Sequence, residues 1–217
     1  MLTAHRIMDC PSFIQFYPSM RCNQRCRFCF NQNISDQSSY RDMTVKDAFF
    51  LCDMAAAKGI SEIDILGGEP MLVPWIKDFI DHAAGSGISI NISTNGSLPE
   101  AVSQLTEIRT QSLNIGFSVQ GLEKTHNALT FSNNFSPAIA GITAAIAQGI
   151  SPIVKSTVTP ENMNEIEGLV THLAEIGVKR YFLLHEDIIG RGRHAPCLSF
   201  PEFWKSFYIL LIAFCIL

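Results

Sequence analysis

The chain has 217 residues, 47% of them hydrophobic and 17% charged, with a formal net charge of -4. That much apolar material can build a sizeable core and excludes a disordered chain. The acidic balance, with no Lys/Arg run, excludes the electrostatic footprint of a nucleic-acid binder and leaves a peptide, protein or small-molecule substrate.

The start of the chain, Met1 to Phe13, lacks the basic stretch and long apolar run of a secretion signal, so the expected location is cytoplasmic. Residues 1–12 are read as an N-terminal segment. In a reducing compartment the 7 cysteines are thiols, and their odd number also argues against complete pairing.

From Phe13 onward, strand-like and helix-like runs alternate, the pattern of parallel strands joined by helical crossovers. The expected strands are Phe13 to Ser19, Glu62 to Leu66, Ile88 to Thr94, Leu113 to Val119, Ile150 to Thr157 and Arg180 to His185. Between them, Ile76, Phe79, Ile80 and Ala83 recur at helical spacing. So do Ile139, Ile142 and Ile146, and then Ile166, Leu169, Val170 and Leu173. Ser97 to Glu100 and Ser199 to Glu202 read as capping boxes, and Gly59, Gly149 and Gly177 stand where helices should stop.

Parallel strands covered on both faces read as continuous apolar runs. Here Ile88, Ile90 and Ile92 alternate with Ser89, Asn91 and Ser93, and Ile115, Phe117 and Val119 alternate with Asn114, Gly116 and Ser118. Lys155 and Thr157 continue the pattern. One face of the sheet is therefore polar, as in a curved parallel sheet that encloses a polar ligand. Past the last strand, 194–217 is read as a terminal helix. Its end, Phe207 to Leu217, is almost wholly apolar but too short to span a membrane as a helix. It is expected either to pack on the sheet edge or to be a truncated tail.

Directly after the first strand comes Cys22-Asn-Gln-Arg-Cys26-Arg-Phe-Cys29, three thiols that can wrap one metal centre. Soft thiolates select iron–sulfur clusters, zinc or cuprous copper, and a structural zinc is normally closed by four ligands. A zinc site would need Cys10, Cys52 or a His as its fourth. A four-iron cluster on three cysteines keeps one iron open. The second motif, Gly67-Gly68-Glu69-Pro70, ends the second strand. Its glycines permit close backbone approach, and Glu69 offers an acceptor for a cationic amine.

CxxxCxxC with an aromatic, Phe28, before its last cysteine, followed by Gly67 to Pro70, resembles the radical S-adenosylmethionine (radical SAM) superfamily. The resemblance runs from about Phe13 to Arg193, read as the core domain. It implies an α/β fold, a partial (β/α)6 TIM-like barrel of parallel strands with outer helices. It implies a 4Fe-4S cluster on Cys22, Cys26 and Cys29 and SAM bound beside Phe28, Gly67, Gly68, Glu69 and Pro70. Asn95 and Ser118, at the ends of the third and fourth strands, match segments that line the SAM site, with Thr94, Gln120, Lys155 and Thr157 as weaker candidates. Lys155 is alternatively a partner of Glu69 or Asp64.

The implied activity is reductive cleavage of SAM to a 5'-deoxyadenosyl radical that abstracts hydrogen from substrate. A reductase, flavodoxin or ferredoxin would donate the electron. Thr157 to Asn162 and Ile189 to Arg193 resemble the branch that modifies peptides and proteins. Two departures stand out. Ala128-Leu129-Thr130-Phe131 occupies the place of an Arg that clamps the SAM carboxylate in relatives, and only Cys197 and Cys215 follow the barrel, so no auxiliary cluster is expected. These departures keep open a second reading, a non-catalytic iron–sulfur or zinc-binding scaffold. Of the six histidines, His185 alone is a site candidate; the rest are read mostly as surface or capping residues.

Overall fold

A computed structural model of the protein describes residues 11–31, 41–108 and 112–215. Cys10 lies outside the described residues. Six parallel strands form one sheet in chain order: β1 (Phe13–Phe16), β2 (Glu62–Ile65), β3 (Ser89–Thr94), β4 (Leu113–Ser118), β5 (Ile153–Val158) and β6 (Arg180–His185). The helices are α1 (Val45–Ala57), α2 (Ile76–Gly85), α3 (Pro99–Thr106), α4 (Glu123–Thr130), α5 (Phe135–Ala147), α6 (Ile166–Glu175) and α7 (Phe200–Cys215). This is the expected partial barrel, open between β1 and β6.

Alternation along the strands sorts the two faces. Ile63, Ile65, Ile90, Ile92, Ile115, Phe117 and Val154 are fully or almost fully buried against the helices, in one core with Phe79, Ile80, Leu105, Ile142 and Leu169. Each such side chain contributes roughly 1.5–3 kcal/mol by leaving water. The expected face of α2, Ile76, Phe79, Ile80 and Ala83, is buried throughout. On α5 the seam lies one step over, on Ala138, Gly141, Ile142 and Ala145. Small residues there let the helix sit close to Phe117, whose ring reaches within 3.1 Å of where a Cβ on Gly141 would stand.

The opposite face carries the polar residues, and register lines them up. Asp64 pairs with Asn91 and Asn91 with Asn114 across three strands. Asn91 Nδ2 donates to Glu62 and to Asp64, each at 2.7 Å, Asn114 Nδ2 donates to Asn91 Oδ1 at 3.0 Å, and Arg180 Nη1 donates to Asn114 Oδ1 at 3.0 Å. This ladder lines the barrel interior.

Several ends differ from expectation for local reasons. β1 stops at Phe16 because the carbonyls of Pro18 and Ser19 turn to Met43 N–H and Gly68 N–H. β5 starts at Ile153, since Pro152 has no N–H to donate. The capping box at Ser97 does not form. Leu98 is the N-cap, Pro99 opens α3, and Ser97 Oγ instead accepts from Asn23 Nδ2 at 2.7 Å. At Ser199 the partnership does form, with the backbone N–H and Oγ both donating to Glu202 at 2.8 and 2.6 Å. Gly59, Gly149 and Gly177 all have positive φ just past helices, as expected.

α7 packs its first turns on the β6 edge, where Phe203 is buried with Leu198, Val158 and Ile166. The side chains beyond Tyr208 lie outside the described residues. Among the described residues no helix is long and apolar enough to cross a membrane.

Candidate functional site

The segment from Tyr17 to Asn31 has no regular secondary structure. A chain that dips into a protein this way must find partners for its backbone groups, and it finds them on three sides, with side-chain contacts on two more. Gly68 N–H donates to Ser19 O at 3.0 Å and Glu69 N–H to Arg21 O at 2.7 Å. Arg25 N–H and Arg27 N–H donate to Thr130 O and Leu129 O at the end of α4, at 3.2 and 2.9 Å. Asn95 Nδ2 holds Asn23 Oδ1 at 2.8 Å, and Arg191 N–H holds Cys29 O at 2.9 Å. Finally, the Arg27 guanidinium bridges Glu161 at 3.0 Å and Glu186 at 3.1 Å, the latter fully buried.

Two glycine positions make this docking possible. A Cβ on Gly68 would sit 2.0 Å from Arg21 O, and one on Gly190 would sit 2.2 Å from Phe30 O and 2.4 Å from Cys29 O. The close approach expected of Gly67 and Gly68 toward a ligand is, in the structure, an approach to the backbone that carries the cysteines.

The result is one cavity of about 210 Å3, lined by Cys22, Cys26, Phe28, Cys29, Gly67, Gly68, Glu69, Asn95 and Ser118, with Gln24, Thr94 and Gln120. Of the residues singled out in the sequence, Pro70, Lys155, Thr157 and His185 do not line it. Pro70 is buried and opens a short 3-10 turn, Pro70–Leu72. Burial pushes the Cys22 thiol up to about 11 and the Cys26 thiol up to about 12, and raises Cys29 as well. Arg191 pulls Cys26 and Cys29 back down. Thiols so raised stay neutral until a cation compensates the thiolate charge.

Glu69 is 1% exposed, and internal donors already meet both carboxylate oxygens. Oε1 accepts from Met71 N–H at 3.0 Å and Thr94 Oγ1 at 2.6 Å, and Oε2 from Asn95 N–H at 2.7 Å. Burial raises its pKa and these bonds oppose the rise. Oε2, with one donor, has a lone pair left for an amine at the cavity wall.

Lys155 pairs with neither Glu69 nor Asp64. Its Nζ donates to Ser93 Oγ at 2.7 Å, with the Asp64 charge nearby, and Gly116 leaves space for its stem. Gln120 and Thr157 bond to each other, Thr157 N–H to Gln120 Oε1 at 2.8 Å. Asn162 ties the ends of β4 and β5, donating to Gln120 O and Thr157 O. His185 is not at the cavity: Nε2 lies 3.0 Å from Leu198 O and the ring packs edge-on to Phe203. His126 is a correction of another kind. It is fully buried inside α4, Nδ1 accepts from Gln120 N–H at 3.0 Å, and burial lowers its pKa to about 4.

The zinc alternative lacks a closing ligand among the described residues. No group of three or more His, Cys, Asp or Glu there is arranged to hold a single metal ion. Cys52 is buried in the core on α1, and Cys197 Sγ donates to Glu186 O. Three thiols around one cavity, Cys22 buried and Cys26 and Cys29 half-buried, suit a larger group that brings its own inorganic atoms.

Residues 16–173 match the family model described as the radical SAM superfamily. The chain belongs to this superfamily. As a radical SAM protein it has a 4Fe-4S cluster and S-adenosylmethionine for cofactors. It is 30% identical over 173 residues to the GTP 3',8-cyclase of Geobacter sulfurreducens, covering 78% of this chain and 52% of that one. It is 26% identical over 175 residues to the Fe-coproporphyrin III synthase of Methanosarcina barkeri, covering 79% and 43%. The chain thus spans about half the length of the curated relatives it matches.

Among solved structures, the radical SAM fold recurs in Streptococcus suis SuiB bound to precursor peptide SuiA, with TM-score 0.80 and 20% identity over 94% of this chain and 46% of that one. It recurs in anSMEcpe with bound AdoMet and Cp18Cys peptide, with TM-score 0.74 and 18% identity over 93% and 59%.

Proposed function

We propose that this chain is the catalytic core of a radical SAM enzyme acting on a peptide or protein. In this reading residues 13–193 form the core domain and 194–217 a terminal helix. Cys22, Cys26 and Cys29 ligate the cluster, and Phe28, Gly67, Gly68, Glu69, Asn95 and Ser118 surround SAM, with Pro70 shaping the turn that holds Glu69. The observation that carries it is the convergence of three thiols and three separate strand ends on one cavity. When bound, the cluster and SAM supply the radical chemistry. The residues of the chain ligate, orient and exclude water.

The substrate reading draws on a second cavity, of about 300 Å3, inside the barrel. It shares Leu66 and Ser93 with the first and is lined by Glu62, Asp64, Asn91, Asn114, Lys155, Phe182 and Leu184. Among the described residues neither Glu62 nor Asp64 is within ion-pair distance of a cation, and the one cation on this cavity, Lys155, donates to Ser93 with the Asp64 charge nearby, so the carboxylates outnumber it. Asn91 fixes both of them, so the carboxylates are presented together. They favour an amine or amide group of a peptide and oppose a triphosphate.

The second reading, a purine nucleotide substrate, is favoured by the relatives that are GTP cyclases. Anaerobically reconstituted protein with dithionite and SAM, given either GTP or a pool of Lys- and Asn-containing peptides, decides between them. Peptide mass loss coupled to 5'-deoxyadenosine release supports the first reading, and GTP consumption overturns it. The cytoplasm and an electron donor of the flavodoxin, ferredoxin or reductase kind complete the proposal. A non-catalytic scaffold would bind metal and release no 5'-deoxyadenosine.

A further inference from the structure

Gln24 stands between Cys22 and Cys26 and is only 3% exposed. At that depth a carboxamide needs partners for both ends, because an unpaired buried polar group costs roughly 1–3 kcal/mol. Its backbone N–H points at Cys22 Sγ, 3.4 Å away. Its Oε1 lies 3.5 Å from Cys26 Sγ, accepting from the thiol, while Nε2 has no partner among the described residues. The side chain lines the same cavity as the three cysteines.

This arrangement holds only while Cys26 carries a proton. A thiol can donate, but a metal-bound thiolate has no hydrogen and can only accept. A carbonyl oxygen aimed at a thiolate would bring lone pair to lone pair. A half-turn of the carboxamide exchanges Oε1 and Nε2, two atoms of nearly the same size and shape. The turn replaces that repulsion with an N–H···S bond and gives the orphaned Nε2 its partner, leaving a carbonyl rather than two N–H donors in the unpartnered place.

We infer that Gln24 is a positioning residue that donates its side-chain N–H to the Cys26 thiolate and thereby raises the reduction potential of the cluster. The inference rests on Cys26 being a cluster ligand, as proposed above. Hydrogen bonds to ligand sulfur are one of the levers that set iron–sulfur potentials, because they stabilise the more negative, reduced state. Other groups reach other sulfurs. The Gln24 backbone N–H serves Cys22, and Asn95 Nδ2 lies 3.9 Å from Cys22 Sγ. At Cys26 the backbone N–H of Cys26 itself lies beside the sulfur, and the Gln24 carboxamide is the side-chain amide that reaches it among the described residues.

The test uses the reconstituted full chain with iron and sulfide counted, and a redox titration of the cluster followed by electron paramagnetic resonance. Gln24→Leu keeps the volume and removes the donor. It should make reduction about tenfold less favourable, a fall of about 59 mV for one electron. Gln24→Glu, which places a carboxylate beside the thiolate, should lower the potential further. A Gln24→Leu protein with a full cluster and an unmoved potential overturns the inference.

If the variants fail to hold a cluster, the unmodified protein labelled with 15N in its glutamine side chains still decides. Coupling of that nitrogen to the reduced cluster is expected, and its absence is fatal to the inference. Absence of a four-iron cluster from the unmodified protein, or a full cluster in Cys26→Ala, would instead show that the ligand assignment itself is wrong.

Discussion

Glu69→Gln probes the centre of the site. The carboxylate of Glu69 accepts three hydrogen bonds, from Met71 N–H, Thr94 Oγ1 and Asn95 N–H, at 3.0, 2.6 and 2.7 Å. A carboxamide can keep only part of this set. With its NH2 in the place of Oε2 it faces the Asn95 N–H; with NH2 in the place of Oε1 it faces the Met71 N–H, although the Thr94 hydroxyl can turn to accept. Either way one buried backbone N–H is stranded. Losing a charge-assisted bond costs about 1.5–3 kcal/mol and stranding its donor about 1–3 kcal/mol. Against this, the neutral side chain is released from the burial penalty that raises the Glu69 pKa. A net loss of about 2 kcal/mol follows, which lowers the melting temperature by about 4–8 °C in a chain of this size.

The pH dependence gives a second handle on the same variant. Because burial raises the Glu69 pKa above its ordinary 4.5, the folded protein holds this proton more tightly than the unfolded chain does. The contribution of Glu69 to stability is therefore fully present below about 4.5 and declines as pH rises through the folded value. The Glu69→Gln protein, with no proton to lose there, shows no such decline. Thermal and urea denaturation of the cluster-free protein measure both effects. An unchanged melting temperature, with only SAM affinity lost, would refute the claim that Glu69 is first a structural acceptor.

Three further outcomes follow from other parts of the molecule. Glu186→Ala leaves the Arg27 guanidinium without its buried partner and should cost about 3 kcal/mol, whereas Glu161→Ala, on the 44% exposed side of the same bridge, should cost under about 1 kcal/mol in urea titrations. His126 has a folded pKa of about 4 against an ordinary value of 6.5, so its neutral form is favoured in the fold. Its stabilisation is intact above about 6.5 and is lost as pH falls toward 4, by about 3 kcal/mol in all. In His126→Gln, which keeps an acceptor for Gln120 N–H, the unfolding midpoint should fall less over that window. Phe131 ends α4 with φ 50 and is 68% exposed. Phe131→Gly relieves a left-handed residue and should raise stability by about 0.5–1 kcal/mol in thermal melts.

The fold is legible in the sequence because its signals are periodic. Alternation of isoleucine with Ser and Asn locates β3, and the same rule separates the helix-facing side of the sheet from the barrel interior. The candidate site is legible where it is carried by a short motif: Cys22 to Cys29 and Gly67 to Glu69 reach the same cavity, joined by Asn95 and Ser118. Contacts between distant residues are not legible. Nothing near Leu129 or Thr130 announces that their carbonyls hold Arg27 and Arg25, since backbone acceptors look alike in every sequence. Glu186 follows β6 as an ordinary surface acid would, and only its burial beside Arg27 gives it a role. Ser97 has the right spacing for a capping box, but Asn23, 74 residues away along the chain, claims its hydroxyl. His126 escapes a sequence reading because α4 is mostly polar, and one more polar residue on such a helix gives no sign of which face turns inward. The signal that could have found Gln24 is its place inside the cysteine motif, where a side chain has little room to reach solvent.

The most direct measurement of the central claim is 5'-deoxyadenosine release by anaerobically reconstituted protein incubated with SAM and dithionite, alongside Cys26→Ala. The unmodified chain is expected to release 5'-deoxyadenosine and the variant none, with the cluster absorbance lost in step. An intact four-iron cluster that leaves SAM uncleaved, or cleavage that survives in Cys26→Ala, would contradict it.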